Sequence, residues 1–408
     1  MFRVAIITYD ISPYRGSESS VSWNFVTKIS RHVHLTVVYG RGHEDVTSYL
    51  CENTIDNVEW IHIPTVPTKH SGLLGHLDYM RNYKRWQKKA KEILKEKFEA
   101  GEIDLIHYLN PIGFKEPGFS WQIKGVPYIW GPIACVENRP FQLYRAYSLR
   151  GKYTALTRRL AHNALFRLMP RLRRALKNAD QVFAATPKGV RLLKKVHHCD
   201  AIYLPENGIT VMETDSPISY NPTTPLQLIW VGRVADEDKA IVILLDALLK
   251  VTSSNWHLHI IGDGTVNPKI KKRIKNIEPN ITWYGKIPRT KVQEIFKKSH
   301  LHIISSLGEA TTTVLFEAMA KAIPTMTLDH CGMAGVVCER CGIKIPIDWY
   351  DRVTQFMAEN IDDLILHPER INALSKGALE CSKKWMWDNR VKTFLETYNR
   401  LTAQYASK

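Results

Sequence analysis

Residues 300–322 read HLHIISSLGEATTTVLFEAMAKA. Leu301 to Ile304 form an apolar run with the length of a strand buried on both faces, as in a parallel sheet. A turn follows at 305–308, then Glu309. Any of Thr311, Thr312 and Thr313 can cap a helix that Val314, Leu315, Phe316, Ala318, Met319 and Ala320 continue. The opening turn of such a helix carries free N–H groups and the positive end of the dipole, which suits a phosphate. Glu309 stands just before that turn and Glu317 inside the helix. Eight residues at a helical rise span roughly 12 Å, about a diphosphate with a ring at each end. One carboxylate could then accept from sugar hydroxyls and the other from ribose hydroxyls. Spacing alone leaves open an ordinary strand–turn–helix unit with two unrelated glutamates.

The residues around this stretch repeat its pattern. LQLIWVGR (226–233) reads as a strand ending in Gly232 and Arg233, and Lys239 precedes the apolar helix AIVILLDALLK (240–250). A guanidinium and an ammonium at a strand's carboxyl end form a diphosphate clamp, the first by its fork geometry and the second as a point charge. Asp236-Glu-Asp238 between them spells a DxD, a triplet able to hold a metal ion on a diphosphate, and here reads as a surface loop. WHLHIIGDGT (256–265) is the next strand and turn, where Gly262 and Gly264 permit close backbone approach to a ligand. NITWYGKIPRTKVQEIF (280–296) gives strand, turn and helix, and 323–328 a further strand leading to Asp329-His-Cys-Gly332. Residues 212–226, polar and holding Pro217, Pro222 and Pro225, read as an interdomain linker. A second domain then occupies 227–385.

The first domain, 1–211, opens with FRVAIITY (2–9) as a strand. The loop DISPYRGSESS (10–20) puts Gly16 at a tight turn with Ser17 and Glu18 beside it. A helix to about residue 30 and a strand over about 34–40 complete a right-handed crossover unit that opens a doubly wound sheet. Residues 79–99 make a polar, mostly basic helix with a solvated face. DLIHYLNP (104–111) is a strand with His107 near its carboxyl end, where open sheets bind ligands. VPYIWGPI (126–133), with Gly131 and Pro132, and DQVFAAT (180–186) add two more strands. Residues 383–404 form an amphipathic helix.

Charge is uneven. The 408-residue chain has a net charge of +16, which favours an anionic partner. Between Glu137 and Asp180 there is no acidic residue but eleven Lys and Arg. Among them Arg145, Arg150, Lys152, Arg158, Arg159, Arg167, Arg171, Arg173 and Arg174 interleave with apolar and aromatic residues, a pattern suited to an anionic membrane surface. A merely solvated face or nucleic acid are the other readings of that stretch, and no nucleic-acid motif supports the last. The 44% apolar and 24% charged content is that of a soluble globular protein. No apolar run is long enough to span a bilayer, and residues 1–30 carry no export signal. Seven scattered cysteines predict reduced thiols in a cytoplasm-like compartment. Cys338-Glu-Arg-Cys341, with Cys331 nearby, invites a zinc reading, but without a matching second pair or a histidine at ligand spacing no metal site is expected.

The order of these motifs, above all Glu309-x7-Glu317 followed by AMAKAIPTMTLDHCG, resembles glycosyltransferase family 4 (glycosyl transferases group 1), of GT-B fold, over nearly the whole chain. The resemblance implies two Rossmann-like doubly wound domains facing across a cleft, with residues 386–408 packing back on the first. It implies retaining transfer of a hexose from a UDP- or GDP-linked donor to a saccharide or lipid-linked acceptor in cell-surface polysaccharide or lipopolysaccharide synthesis. No cofactor or metal is implied, and the protein would lie peripherally on the inner face of the membrane. By resemblance Arg233 and Lys239 hold the diphosphate, Glu309 the sugar, Glu317 the ribose, and the backbone around Lys286 and Ile287 the base. Gly16, Gly232, Gly262 and Thr311 to Thr313 complete the donor side, and Gly131 and Pro132 line the acceptor side. Relatives often end this strand in His-x-His with the second histidine near the transferred sugar; here that position is Leu109, and His107 reads either as a carried-over catalytic residue or as a packed, hydrogen-bonded histidine. A nucleotide-sugar epimerase on the same fold, or a non-catalytic basic binding protein, are the competing readings.

Overall fold

The computed structural model describes residues 2–16, 18–67, 72–264 and 268–407. In chain order they form β1 (Arg3–Asp10), α1 (Glu18–Ile29), β2 (His34–Arg41), α2 (His43–Glu52), β3 (Val58–His62), α3 (Gly72–Glu99), β4 (Leu105–Asn110) and β5 (Tyr128–Ile133). Next come α4 (Leu149–Leu168), α5 (Pro170–Lys177), β6 (Gln181–Ala184), α6 (Pro187–His197) and β7 (Ala201–Tyr203). A second series follows: β8 (Leu226–Val231), α7 (Ile241–Leu248), β9 (Trp256–Ile261), α8 (Pro268–Asn276), β10 (Ile281–Trp283), α9 (Arg289–Phe296), β11 (Leu301–Ile304) and α10 (Thr313–Met319). The chain ends with β12 (Thr325–Leu328), α11 (Met333–Val336), β13 (Gly342–Ile345), α12 (Tyr350–Leu366), α13 (Glu369–Trp385) and α14 (Trp387–Ala406).

Two compact units result, and both sheets are parallel. The first unit holds residues 1–136, 163–206 and 387–408 around a sheet of order β3-β2-β1-β4-β5-β6-β7. Val4, Ala5, Ile6 and Ile7 of its central strand are fully buried on both faces, as the uninterrupted apolar run requires. On one face α14 returns, and Phe394 meets Phe25 of α1 edge to face with ring centroids 4.9 Å apart.

The second unit holds 137–162 and 207–386 around the order β10-β9-β8-β11-β12-β13. Strand order reverses at β1/β4 in one sheet and at β8/β11 in the other. The loops leaving those strands at their carboxyl ends therefore diverge to opposite faces and open a crevice, the usual ligand position in such sheets.

Two boundaries differ from expectation. Residues 137–162 pack with the second unit, because Leu143, Ala146 and Tyr147 are buried in its core. A fully buried leucine such as Leu143 stabilises that docking by about 1.5–3 kcal/mol. Residues 212–226 are no free linker either. Tyr220 is buried in the same core, the N–H of Glu213 donates to the carbonyl of Ala320 at 2.8 Å, and that of Ile218 donates to Ser375 Oγ at 2.8 Å. Prolines mark an irregular path there, and apolar contacts fix it to the unit.

Candidate functional site

The carboxyl ends of β8, β9 and β11 gather most of the donor-side candidates. β8 ends in Trp230 and Val231, and its loop turns at Gly232. A Cβ added to Gly262, which has φ +141°, would lie 1.8 Å from the carbonyl oxygen of Gly232. One added to Gly264 would lie 2.6 Å from Ala235. The glycines thus let the β8 and β9 loops touch each other, so close approach here is first between loops.

Lys239 is fixed by the neighbouring strand end. Ser305 Oγ accepts from the Trp230 indole N–H at 3.1 Å and donates to the Lys239 carbonyl at 2.8 Å, and the N–H of Leu307 donates to the Asp238 carbonyl at 2.8 Å. This clip sets the Lys239 ammonium against Glu309 Oε1 in a largely buried ion pair. The other carboxylate oxygen, Oε2, is buried and accepts no hydrogen bond from the described residues. Such an acceptor is costly unless a donor reaches it. Arg233, by contrast, reaches outward and pairs with Asp236 at 2.8 Å, its side chain 73% exposed.

The helix after Glu309 is shorter than expected, seven residues from Thr313, and its N-cap Thr312 makes no side-chain cap. Thr313 Oγ1 instead donates to Asn207 Oδ1 at 3.3 Å, and Asn207 Nδ2 donates to the Thr311 carbonyl at 3.4 Å. Thr312 and Val314 line one crevice with Lys239 and Ser306. Farther along, Glu317 accepts from Arg289 at 2.9 Å. Ile287 packs with Val231, Ile261 and Val314 in one apolar cluster, whereas Lys286 is exposed.

The Asp-Glu-Asp triplet is not a bare surface loop. Asp238 accepts from Arg139 Nε at 2.9 Å and from the Tyr147 hydroxyl at 2.8 Å, with a second contact from Arg139 Nη2 and Arg158 3.8 Å away. Those bonds hold its carboxyl below the usual range against the opposing effect of burial. Glu237 accepts from the N–H of Ser148 at 2.9 Å. These carboxylates anchor residues 139–158.

Several functional-looking residues escaped the sequence reading. Glu137 and His330, with Cys331, bring their ligand atoms within 4.8 Å of one another, and next in sequence Gly332 packs against the Ala310 carbonyl. Cys331 adopts φ +59°, the left-handed conformation that a glycine at that position would take freely. Arg289 carries no local signal, since nothing near it in sequence ties it to a glutamate 28 residues away.

In the first unit the candidates fare differently. His107 is fully buried: Nε2 donates to the Gly131 carbonyl at 2.7 Å and Nδ1 accepts from the Tyr398 hydroxyl at 2.7 Å. Desolvation pulls its pKa down to about 4, so it is a neutral core histidine with no ring nitrogen left for a sugar. Gly131 and Pro132, expected to line the acceptor side, lie inside β5 and are buried. A Cβ on Gly131 would meet the Phe183 carbonyl oxygen at 2.3 Å, which accounts for the glycine. Gly16 lacks a positive φ and has open space for a Cβ, so its turn does not require glycine. Ser17 and Thr265 lie outside the described residues. Glu18, beside Gly16, is half-buried, and burial raises its carboxyl pKa.

The basic stretch also divides. Arg171 is structural, paired with Glu116 at 2.9 Å and lying over Phe119. Arg145 pairs with Asp351 at 2.7 Å, Arg158 faces Asp238, and Lys152 and Arg159 are half-buried. Arg150, Arg167, Arg173 and Arg174 are exposed. On α4, Leu149, Tyr153, Leu156 and Leu160 are exposed at spacings of three and four, one stripe of the helix. Among the described residues no helix is long and apolar enough to cross a membrane.

Two Rossmann-like sheets in one chain define the GT-B class of two-domain α/β proteins. Residues 225–365, which carry the Lys239–Glu309 pair, match the family model described as Glycosyl transferases group 1. The chain is 32% identical over 133 residues to the lipopolysaccharide 1,6-galactosyltransferase of Salmonella typhimurium, a match covering 28% of this chain and 37% of that protein. The chain thus spans little more than a third of that curated relative's length. In overall fold it is similar to the sucrose-phosphate synthase of Thermosynechococcus elongatus, with TM-score 0.67, 17% identity, and 99% of this chain and 100% of that one covered. Anabaena HepE in complex with UDP and glucose is similar too, with TM-score 0.62, 14% identity, and 98% and 100% covered.

Proposed function

We propose that this protein is a retaining hexosyltransferase that moves a sugar from a nucleotide-diphosphate donor to a saccharide or lipid-linked acceptor in lipopolysaccharide or related polysaccharide synthesis. One observation carries the reading. At the switch point of the second sheet, a lysine is pinned against a carboxylate whose other oxygen is buried and unpartnered among the described residues. A diphosphate needs the cation and a sugar hydroxyl needs the acceptor. The match to glycosyl transferases group 1 and the galactosyltransferase likeness support the same class.

In this mechanism, negative charge grows on the departing diphosphate as the glycosidic bond breaks. Lys239, supplemented by the outward Arg233, stabilises that charge from a preset position. Glu309 orients the sugar through Oε2, and Glu317, steadied by Arg289, holds the ribose. The acceptor hydroxyl attacks from the face the diphosphate leaves, so configuration is kept. No step needs a metal ion, and the donor is UDP- or GDP-linked.

The test is thermal stabilisation by UDP, GDP and ADP, with and without EDTA, on wild type, Arg233→Ala and Glu317→Ala. One nucleotide should raise the melting temperature in chelator, and both variants should lose the shift. At a hundred times Kd the gain is about 2.7 kcal/mol. No shift with any nucleotide overturns the donor site, and an inverted product overturns retention.

The acceptor end of the reading places the protein on the cytoplasmic face of an anionic membrane. Its support is the exposed stripe of α4, with Arg150 exposed beside it. Wild type should float with vesicles containing anionic lipid, and the double variant Tyr153→Glu, Leu160→Glu should stay in the soluble fraction. Equal flotation of the two removes α4 from the contact.

A further inference from the structure

The fold adds a third thiol to the Cys338-x-x-Cys341 pair. Cys381 of α13 lies with its Sγ 3.4 Å from Cys338 Sγ, and Cys341 Sγ lies 3.6 Å from the same atom. All three sulfurs fall within 4.8 Å of one another. A tetrahedral zinc ion with Zn–S bonds of about 2.3 Å sets its sulfurs about 3.8 Å apart. The observed separations suit a single ion and are too short for thiolates on different irons of a cluster.

The backbone is shaped to the same end. The N–H of Cys341 donates to the Cys338 carbonyl at 3.0 Å, and that of Cys338 donates to Cys341 Sγ at 3.2 Å. Gly377 precedes Cys381 by one helical turn, on the same face. A Cβ there would lie 1.8 Å from the Arg340 carbonyl oxygen, so only glycine lets α13 lie on the turn and deliver the third sulfur. Three thiolates around a divalent ion leave one negative charge; the exposed Arg340 guanidinium, which pairs with Glu380 at 3.3 Å, lies near Cys338 and Cys381.

We propose that Cys338, Cys341 and Cys381 bind one zinc ion as three thiolates, with a small solvent-derived ligand in the fourth position, clamping the turn before β13 to α13. Each thiol gives up its proton and the metal takes three S⁻ ligands, with no change of oxidation state. None of the three cysteines is among the donor residues, so failure of the site leaves the transferase reading intact.

The experiment is metal analysis of the full chain purified under reducing conditions, followed by replacement with Co²⁺. About one zinc per chain is expected. Co²⁺ should give the near-ultraviolet sulfur-to-metal charge-transfer band and the strong visible bands of tetrahedral thiolate sites. Cys381→Ser should lower zinc affinity at least tenfold, while Cys199→Ser should bind zinc like wild type. Should Cys381→Ser fail to fold, the Co²⁺ spectrum of wild type decides alone. Absence of the charge-transfer band, a disulfide between any two of the three cysteines, or unchanged zinc affinity in Cys381→Ser would each overturn the proposal.

Discussion

Glu309 gives one carboxylate oxygen to Lys239 and buries the other without a partner among the described residues. Glu309→Gln keeps the size and one acceptor oxygen but removes the charge that positions the lysine. Turnover should fall about 10²–10³-fold, as when a preorganised electrostatic group is lost, while stabilisation by nucleotide diphosphate persists. Transfer kinetics beside thermal shifts check this, and undiminished turnover would remove Glu309 from the reaction. His107 carries a different prediction, about stability. Its folded pKa is about 4 against 6.5 in the unfolded chain. Between those values the unfolded chain binds more protons, so stability is unaffected above about pH 6.5 and falls as pH drops toward 4, by up to about 1.4 kcal/mol per pH unit. Urea midpoints over that range should decline less steeply in His107→Gln than in wild type, and parallel declines would refute the assignment. Lys239 and Glu309 were legible because each follows a strand end where charge is unusual. Arg289, Glu137 and His330 were not, since their partners are set by distant elements meeting in the fold.

The strands were readable because parallel sheets bury both faces and so produce continuous apolar runs, as at 4–7 and 301–304. Helix ends were less so. Three threonines looked like a cap, yet Thr313 turns to Asn207 and Thr312 caps nothing, because tertiary hydrogen bonds displaced the local ones. Glycine meaning was half legible. Gly262 was read as a route to a ligand, and the structure shows it first as the contact between the β8 and β9 loops. Gly262→Ala adds a methyl 1.8 Å from a carbonyl oxygen at φ +141°. It should cost about 1–3 kcal/mol and weaken nucleotide binding, since the loop carrying Gly232 and Arg233 must shift. Denaturant titration and nucleotide thermal shifts read the two effects. Unchanged stability would mean that the loops do not touch in solution.

The division of the chain was the part the sequence concealed most. Residues 137–162 follow a strand of the first sheet and share one basic composition with what comes after, so nothing local marks a boundary at either end. Their allegiance is set by Asp238, which lies about a hundred residues away and was read as part of a surface loop. Its carboxylate takes two contacts from Arg139 and one from Tyr147, while Leu143 and Ala146 bury beneath. Asp238→Ala therefore strands a guanidinium that is only 12% exposed. Breaking such a pair by removing one partner costs about 3–5 kcal/mol. The loss should concentrate in this segment: trypsin should cut at Arg145, Arg150 or Arg158 at concentrations that leave wild type whole, and a lowered urea midpoint should accompany it. The double variant Arg139→Met, Asp238→Leu, which removes both charges, should recover most of the midpoint, because the penalty lies in the unpaired charge. If Asp238→Ala resists trypsin as wild type does, the segment is held by its apolar contacts alone.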